Sequence, residues 1–329
     1  MTVDDRFRVR EGGSVGPVPP TYTVTSTPEG TLVEGPNGGR LLFARSTPGP
    51  LPGDPPVDAA PDTSSYASAP PQQVDMVIVD AVQRPETIGE LRRTGVIGTT
   101  TAVVAVGGDH RIRSPEEFTR RARLWGALAP GDGNDMPCPP SVWPESRPKG
   151  PHRTLVTGGS RSGKSTEAEV RLLAEPRVVY AATGPAPDEA EDPEWAARVR
   201  QHAERRPWWW HTEETSDLAT LLAHTRGALL IDCLGTWLTG AMGRHGLWAE
   251  EIPEGAEEAL ESEIHDLLEA WRNTGAYVVA VTNEVGSGVV PATRAGRLFR
   301  DHLGRLNQWV GAESEEVVLA TAGRVVELP

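Results

Sequence analysis

The chain has 329 residues, 38% hydrophobic and 24% charged, a size and balance that predict a globular protein of two domains. Its formal net charge of −14 is uneven, since residues 1–150 hold 15 basic and 18 acidic side chains while residues 151–329 hold 17 and 28. An acidic chain without a basic block excludes general nucleic-acid binding, and no run of about 18 apolar residues is present to span a membrane.

The N-terminal stretch "MTVDDRFRVREGG" is charged and lacks an apolar core, so no secretory signal is expected. Cys138 and Cys233 lie far apart, with no partner at metal-ligand spacing. They are expected to be free thiols in a reducing compartment, which predicts a cytoplasmic location. Residues 22–44 read as hairpins around an Asn-Gly-Gly turn. Residues 47–73, rich in Pro, Ser, Asp and Ala, read as a flexible loop. A short α/β unit follows: strand 74–80, helix 84–95, strand 101–108 and helix 114–128. In the last of these, Ser114, Pro115 and Glu117 predict a capping box. Asp109-His110 has no second histidine and reads as a polar loop after a strand. Residues 131–152 read as a linker, which divides the chain into domains at 1–130 and 153–329. No internal repeat is apparent.

The segment "RTLVTGGSRSGKSTEAEVRLLA" (153–174) sets a short buried strand before a helix. The turn between them fits the phosphate-loop pattern from Gly158 through Gly159, Ser160, Arg161, Ser162 and Gly163 to Lys164 and Ser165. Glycines let backbone amides turn inward onto phosphate oxygens. Lys164 is placed to reach the β- and γ-phosphates and the Ser165 hydroxyl to ligate Mg²⁺. The chain uses 30 Arg and only 2 Lys, yet a lysine stands here, where a planar guanidinium does not replace a compact ammonium. A strand at 177–184 follows. The segment "GALLIDCLGTWL" (227–238) then supplies a buried strand ending in Asp232, the form expected of a second metal-binding acid. An amphipathic helix over 255–273 points Leu260, Ile264, Leu267, Leu268 and Trp271 inward, with His265 on the surface. A strand at 276–286 leads into the loop-like "TNEVGSGVVP" (282–291), where Asn283 and Glu284 read equally as turn formers or as ligands. Helix 292–310 sets Phe299, Leu303, Leu306 and Val310 toward a core and Arg297, Asp301, Arg305 and Gln308 on the other face. A hairpin over 314–328 closes the chain. Strands alternating with helices predict a mostly parallel sheet with ligands at the strand C-terminal ends.

His202 stands in "RVRQHAERRPWWW" (198–210). By spacing alone, Trp195, Val199, His202 and Arg206 share one helical face, and the histidine reads as a packing residue. An aromatic strand is expected at Trp208 to Trp210, with the three rings packing.

Taken together, "TGGSRSGKS", "VVYAATG", "ARVRQHAERRP", "LLIDCLGTWL", "VTNEVGSGVVP" and "RLFRDHLGRLNQ" resemble, in that order, the bifunctional adenosylcobinamide kinase/adenosylcobinamide-phosphate guanylyltransferase family over residues 153–329. The resemblance implies a RecA-like P-loop NTPase fold and a place in the cobalamin nucleotide-loop pathway. It implies phosphorylation of the aminopropanol hydroxyl of adenosylcobinamide, with ATP or GTP as donor, and then transfer of GMP from GTP through a histidine–GMP intermediate. The nucleophile is then His202, with Lys164 as the second catalytic group. Gly158 to Ser165, Ala182, Thr183, Gly184, Ala203, Glu204, Arg205, Arg206 and Asp232 are implied at the nucleotide. Glu214 is implied at the guanine, where a carboxylate accepts from N1–H and N2–H₂. Mg²⁺ is implied at Ser165 and Asp232, and a homo-oligomer, a trimer, is implied for the assembly. Two positions depart from the pattern: Ala203 stands where a basic residue is common, and Gln201 where some members have a first histidine. The N-terminal half resembles a worn-down metallo-β-lactamase-like domain without that family's His-rich metal motif, so no metal and no activity are carried over to it. The competing readings are a kinase without the transfer step and a non-catalytic, nucleotide-binding regulatory P-loop protein.

Overall fold

The computed structural model describes residues 22–45, 73–110, 112–141, 151–185 and 192–329, with three short strand segments nearer the N-terminus. The expected loop at 47–73 lies outside the described residues except for residue 73, as does the 142–150 part of the expected linker. The chain forms two compact units, Met1–Arg147 with Leu173–Pro176, and Pro148–Leu172 with Arg177–Pro329. No helix among the described residues is long and apolar enough to cross a membrane.

In the first unit, β1 (Thr2–Val3), β2 (Val9–Glu11) and β3 (Ser14–Val15) pair antiparallel. A separate five-stranded sheet holds β4 (Thr23–Thr27), β5 (Gly30–Glu34), β6 (Arg40–Ala44), β7 (Met76–Asp80) and β8 (Ala102–Val106) in sequence order. Its first three strands are antiparallel, and β6, β7 and β8 are parallel. The β5–β6 reversal is closed by Asn37 Oδ1, which accepts from the Gly39 N–H at 3.1 Å. Val33, Leu41, Met76, Ala102 and Val104 form the core of this sheet. Helix α1 (Glu86–Arg93) follows β7, and α2 (Pro115–Leu124) follows β8. Ser114 caps α2 by accepting from the Glu117 N–H at 3.2 Å. The reciprocal arm of the expected box differs: Glu117 Oε2 accepts from the Arg113 N–H at 3.2 Å, one residue earlier than Ser114. Asp109 and His110 lie in the loop after β8, with Asp109 Oδ2 accepting from Gln83 Nε2 at 3.2 Å.

The second unit is a seven-stranded sheet. In chain order its strands are β9 (His152–Gly158), β10 (Val178–Ala182), β11 (His211–Glu214), β12 (Ala228–Asp232), β13 (Tyr277–Asn283), β14 (Glu316–Thr321) and β15 (Arg324–Leu328). Their spatial order is β11-β10-β12-β13-β9-β14-β15, all parallel up to β14, with β15 antiparallel. Six helices connect them: α3 (Lys164–Leu172), α4 (Pro193–Glu204), α5 (Leu218–His224), α6 (Leu234–Arg244), α7 (Ala256–Asn273) and α8 (Arg294–Ala312). Strand β13 stands between the phosphate-loop strand β9 and the Asp232 strand β12, which is the RecA-like order.

Alternation along the strands assigns the two faces. Leu229 and Ile231 of β12, with Val278 and Ala280 of β13, join one cluster with Leu260, Ile264, Leu267, Leu268 and Trp271 of α7 and Leu303, Leu306 and Val310 of α8. Helix α3 packs against β9, β12, β13 and β14. At the sheet end away from the phosphate loop, fully buried Arg171 pairs with Glu167 at 3.1 Å and with both carboxylate oxygens of Glu316 at 2.6 and 2.9 Å. Burial pushes the Glu316 carboxyl up. Hydrogen bonding to His152 and the Arg171 pair outweigh that effect and hold it down at about 2, against an ordinary value of 4.5. A depressed carboxyl stabilises the fold above its unfolded value and loses that contribution as pH falls through the folded value. Glu316→Gln is therefore expected to cost about 2 kcal/mol at neutral pH. The gap between its urea midpoint and that of wild type should close as pH falls from 4.5 toward 2.

Candidate active site

The C-terminal ends of β9, β10, β12 and β13 carry the implied site residues. After β9 the chain turns through Gly158 to Gly163 and enters α3 at Lys164. A Cβ at Gly158 would lie 2.5 Å from the Ala320 carbonyl oxygen and 2.6 Å from Ser162 Oγ, so only glycine fits there. Arg161 takes a φ of 57° and Gly163 a φ of 97°, the left-handed backbone that curls the loop. Two bonds brace it from neighbouring strands: the Glu284 N–H donates to the Gly158 carbonyl at 3.0 Å, and the Gly323 N–H to that of Ser162 at 2.8 Å. Lys164 is buried and donates to the Gly159 carbonyl at 3.2 Å. Ser162 Oγ is buried without a hydrogen-bond partner among the described residues, an orphaned polar atom in a loop suited to phosphate oxygens.

Asp232 ends β12 beside this loop. Its Oδ2 accepts from the Tyr180 hydroxyl at 3.0 Å and lies 3.5 Å from His202 Nδ1, and the Ser165 side chain also bonds to the carboxylate. Burial pushes the Asp232 carboxyl up, but the hydrogen bond and charge of His202, with the bonds from Tyr180 and Ser165, hold it below the usual aspartate range. Burial and the neighbouring Asp232 charge in turn raise the Tyr180 phenol. A hydroxyl and a carboxylate meeting in this way are hard oxygen donors of the kind Mg²⁺ takes beside phosphate oxygens and water. The residues present therefore fit the ion that a P-loop nucleotide implies. Among the described residues, no three His, Cys, Asp or Glu side chains cluster as a self-sufficient metal cage.

His202 lies in the last turn of α4, with its side chain 17% exposed. The helix is seeded by Asp192, which caps the Trp195 N–H at 2.9 Å, and by Pro193 in its first turn. Trp195 anchors it to the end of β10: its Nε1 donates to the Pro185 carbonyl at 3.0 Å, and a Cβ at Gly184 would meet its ring at 2.5 Å. Beyond the helix, Arg205 forks onto Glu169 at 3.0 and 3.1 Å. Arg206 stacks its guanidinium 3.9 Å from the Tyr180 ring centroid and donates to Thr212 Oγ1 at 2.8 Å. Ala203 and Glu204 are exposed at the helix end. The Thr183 hydroxyl joins the ends of β10 and β12, donating to the Cys233 carbonyl at 2.7 Å and accepting from the Cys233 N–H at 2.9 Å. Ala182 is in register with Asp232 on one side and Glu214 on the other, and Glu214 is exposed on the edge strand β11.

One group differs from the sequence expectation, one takes the turn-forming of the two readings left open, and one was missed by the sequence. Trp208 to Trp210 form a turn rather than a strand, because β11 begins only at His211. Trp208 is 66% exposed and meets Trp209 edge-on, and Trp210 alone is buried. Glu284 turns its carboxylate onto the Gly286 N–H at 2.6 Å, closing its own loop. Glu169, Tyr180 and Asn307 were not singled out. Asn307 ties α8 to the end of β13, accepting from Thr282 Oγ1 at 2.6 Å and donating to the Asn283 carbonyl at 3.0 Å. The available signals were a tyrosine inside an otherwise apolar strand and an acid four residues after Ser165 on the same helical face.

Residues 154–328 match the family described as cobinamide kinase / cobinamide phosphate guanyltransferase. The chain belongs to this family. The bifunctional adenosylcobalamin biosynthesis protein CobU of Salmonella typhimurium strain LT2 is 39% identical over 188 residues, covering 53% of this chain and 98% of that protein. The Escherichia coli K12 protein of the same description is 37% identical over 183 residues, covering 53% of this chain and 98% of its own. CobP of Pseudomonas aeruginosa, also described as a bifunctional adenosylcobalamin biosynthesis protein, is 38% identical over 177 residues, with 52% and 94% covered. Among solved structures, a prototypical ATPase from a type III secretion system overlaps 51% of this chain and 50% of its own at 12% identity and a TM-score of 0.35. The family match begins at residue 154, within β9, so it falls on the unit that holds the phosphate loop and the helix bearing His202.

Proposed function

We propose that this chain phosphorylates the aminopropanol hydroxyl of adenosylcobinamide with ATP or GTP, and then transfers GMP from GTP to the new phosphate through His202. The observation that supports this reading is the position of His202, 3.5 Å from an Asp232 carboxylate that is itself bonded to Ser165 of the phosphate loop. A histidine with a merely packing role has no need to stand over the acid of a phosphate loop.

In the first step, the substrate hydroxyl attacks the γ-phosphorus and gives up its proton to solvent, the bond to the β-phosphate oxygen breaks and the nucleoside diphosphate leaves. In the second, an imidazole nitrogen lone pair forms a P–N bond to the α-phosphorus of GTP and pyrophosphate departs with the electron pair of the broken P–O bond. An oxygen of the cobinamide phosphate then attacks the same phosphorus, and the P–N electrons return to the imidazole. Nδ1 is enclosed by the charged groups of the site, 3.3 Å from Arg205 Nη2, 3.5 Å from Asp232 and 3.8 Å from Glu169, which supports Nε2 as the attacking atom. Lys164 and the loop amides neutralise charge that develops on the phosphate oxygens in both steps. Mg²⁺, when bound with the triphosphate, supplies further neutralisation, and Ser165 and Asp232 are the residues to hold it. Arg206 and the backbone from Ala182 to Gly184 line the nucleotide in this reading, with Glu214 on the guanine edge. The family resemblance adds a trimeric assembly working in the cytoplasm.

The test is incubation with GTP labelled at the α-phosphate, with Mg²⁺ present. The expected result is acid-labile, base-stable label on the protein, discharged by adenosylcobinamide phosphate. Kinase activity without label would reduce the reading to the first step, and absence of both with GTP still bound would overturn it.

A further inference from the structure

The proposed transfer step needs the nucleophile on one helix and the phosphate loop on another to keep a fixed separation. Resting on that two-step reading, we infer that Glu169 and Arg205 form a clamp that positions His202 over the phosphate loop. Glu169 is a positioning residue for guanylyl transfer and has no part in the kinase step.

Glu169 lies four residues after Ser165 on α3, so both side chains leave the same helical face. Its side chain is 8% exposed, and a buried carboxylate requires a partner. That partner is Arg205, three residues past His202, held by both guanidinium contacts at 3.0 and 3.1 Å. A bidentate fork fixes direction as well as distance. The clamp therefore ties the helix that begins with Lys164 and Ser165 to the turn that follows the nucleophile. The imidazole is inside the same cluster: Nδ1 lies 3.8 Å from Glu169 Oε1 and 3.3 Å from Arg205 Nη2. The opposite wall is Asp232, and Arg206 adds a bond to the His202 carbonyl at 3.1 Å. Attack on the α-phosphorus is sensitive to placement, since a shift of about 1 Å at a reacting group costs about 10²-fold in rate. Phosphorylation by the γ-phosphate does not use the imidazole, so the two activities of one protein report separately on the clamp.

The experiment compares full-length wild type with Glu169→Gln, which keeps the side-chain volume and removes the second acceptor oxygen and the charge. Single-turnover labelling with α-labelled GTP is expected to slow by about 10²-fold, while the kinase rate stays near that of wild type. Arg205→Met should slow labelling to a similar extent. The double variant should be no slower than the worse single variant, because both changes break one contact. Equal loss of kinase and labelling in Glu169→Gln would show that the carboxylate only supports α3, and would overturn the clamp. Labelling at the wild-type rate would overturn it as well, as would additive losses in the double variant. If wild type itself phosphorylates cobinamide but takes no label, the two-step reading fails first and the clamp falls with it.

Discussion

His202→Ala is expected to take no label from α-labelled GTP, with guanylyl transfer falling by about 10³-fold or more while phosphorylation of adenosylcobinamide continues. The size follows from the chemistry. Removing a covalent nucleophile deletes the path itself rather than one contribution to it, and losses of this order accompany such deletions. The kinase step survives because its nucleophile is the substrate hydroxyl. Because the imidazole helps to hold the buried Asp232 ionised, the unfolding midpoint should fall modestly while the variant stays folded under assay conditions. Equal loss of both activities would mean that His202 holds the site together structurally. Labelling that persists in the variant would place the nucleophile elsewhere.

Lys164→Ala is expected to lose both activities together, each by about 10²–10³-fold, because in the proposed mechanism one ammonium serves whichever phosphate is being transferred. The residue is buried beside the loop carbonyls, where a positive charge acts at lower dielectric than in water. Lys164→Arg should not restore activity: the guanidinium is planar and bulkier, and the loop backbone at Gly158 already lies against Ala320 and Ser162. Parallel assays on the same preparations of both variants separate the two roles. A Lys164 variant that lost only one reaction would show that the two steps use different triphosphate sites.

The contrast between these residues matches what could be read in the linear chain. The phosphate loop was legible because its chemistry is local. Glycines, a lysine and a hydroxyl within eight residues, between a strand and a helix, carry their meaning in their spacing. The apolar stripes of α7 and α8 were legible for the same reason, and the structure buries them as a single cluster. The tryptophans misled because three aromatic residues satisfy a strand preference, whereas the chain needs a turn between the end of α4 and the edge strand β11. The predicted capping box was half right, since side-chain reach, not sequence spacing, decides which N–H Glu117 takes.

The amino-acid sequence by itself determined the alternating strands and helices, the phosphate loop and the family, because each is written in short-range periodicity or in contiguous motifs. It also placed His202 on a helical face, but periodicity cannot say whether such a face meets a core or a site. The strand order sets the neighbours of that face, because it puts β10 beside β12 and brings Tyr180, Asp232 and the end of α4 against α3. Glu169 and Arg205 stand 36 residues apart in the chain and Tyr180 and Asp232 stand 52 apart. No local pattern records such pairs; the requirement that a buried carboxylate find its partner makes them visible only once the fold has closed.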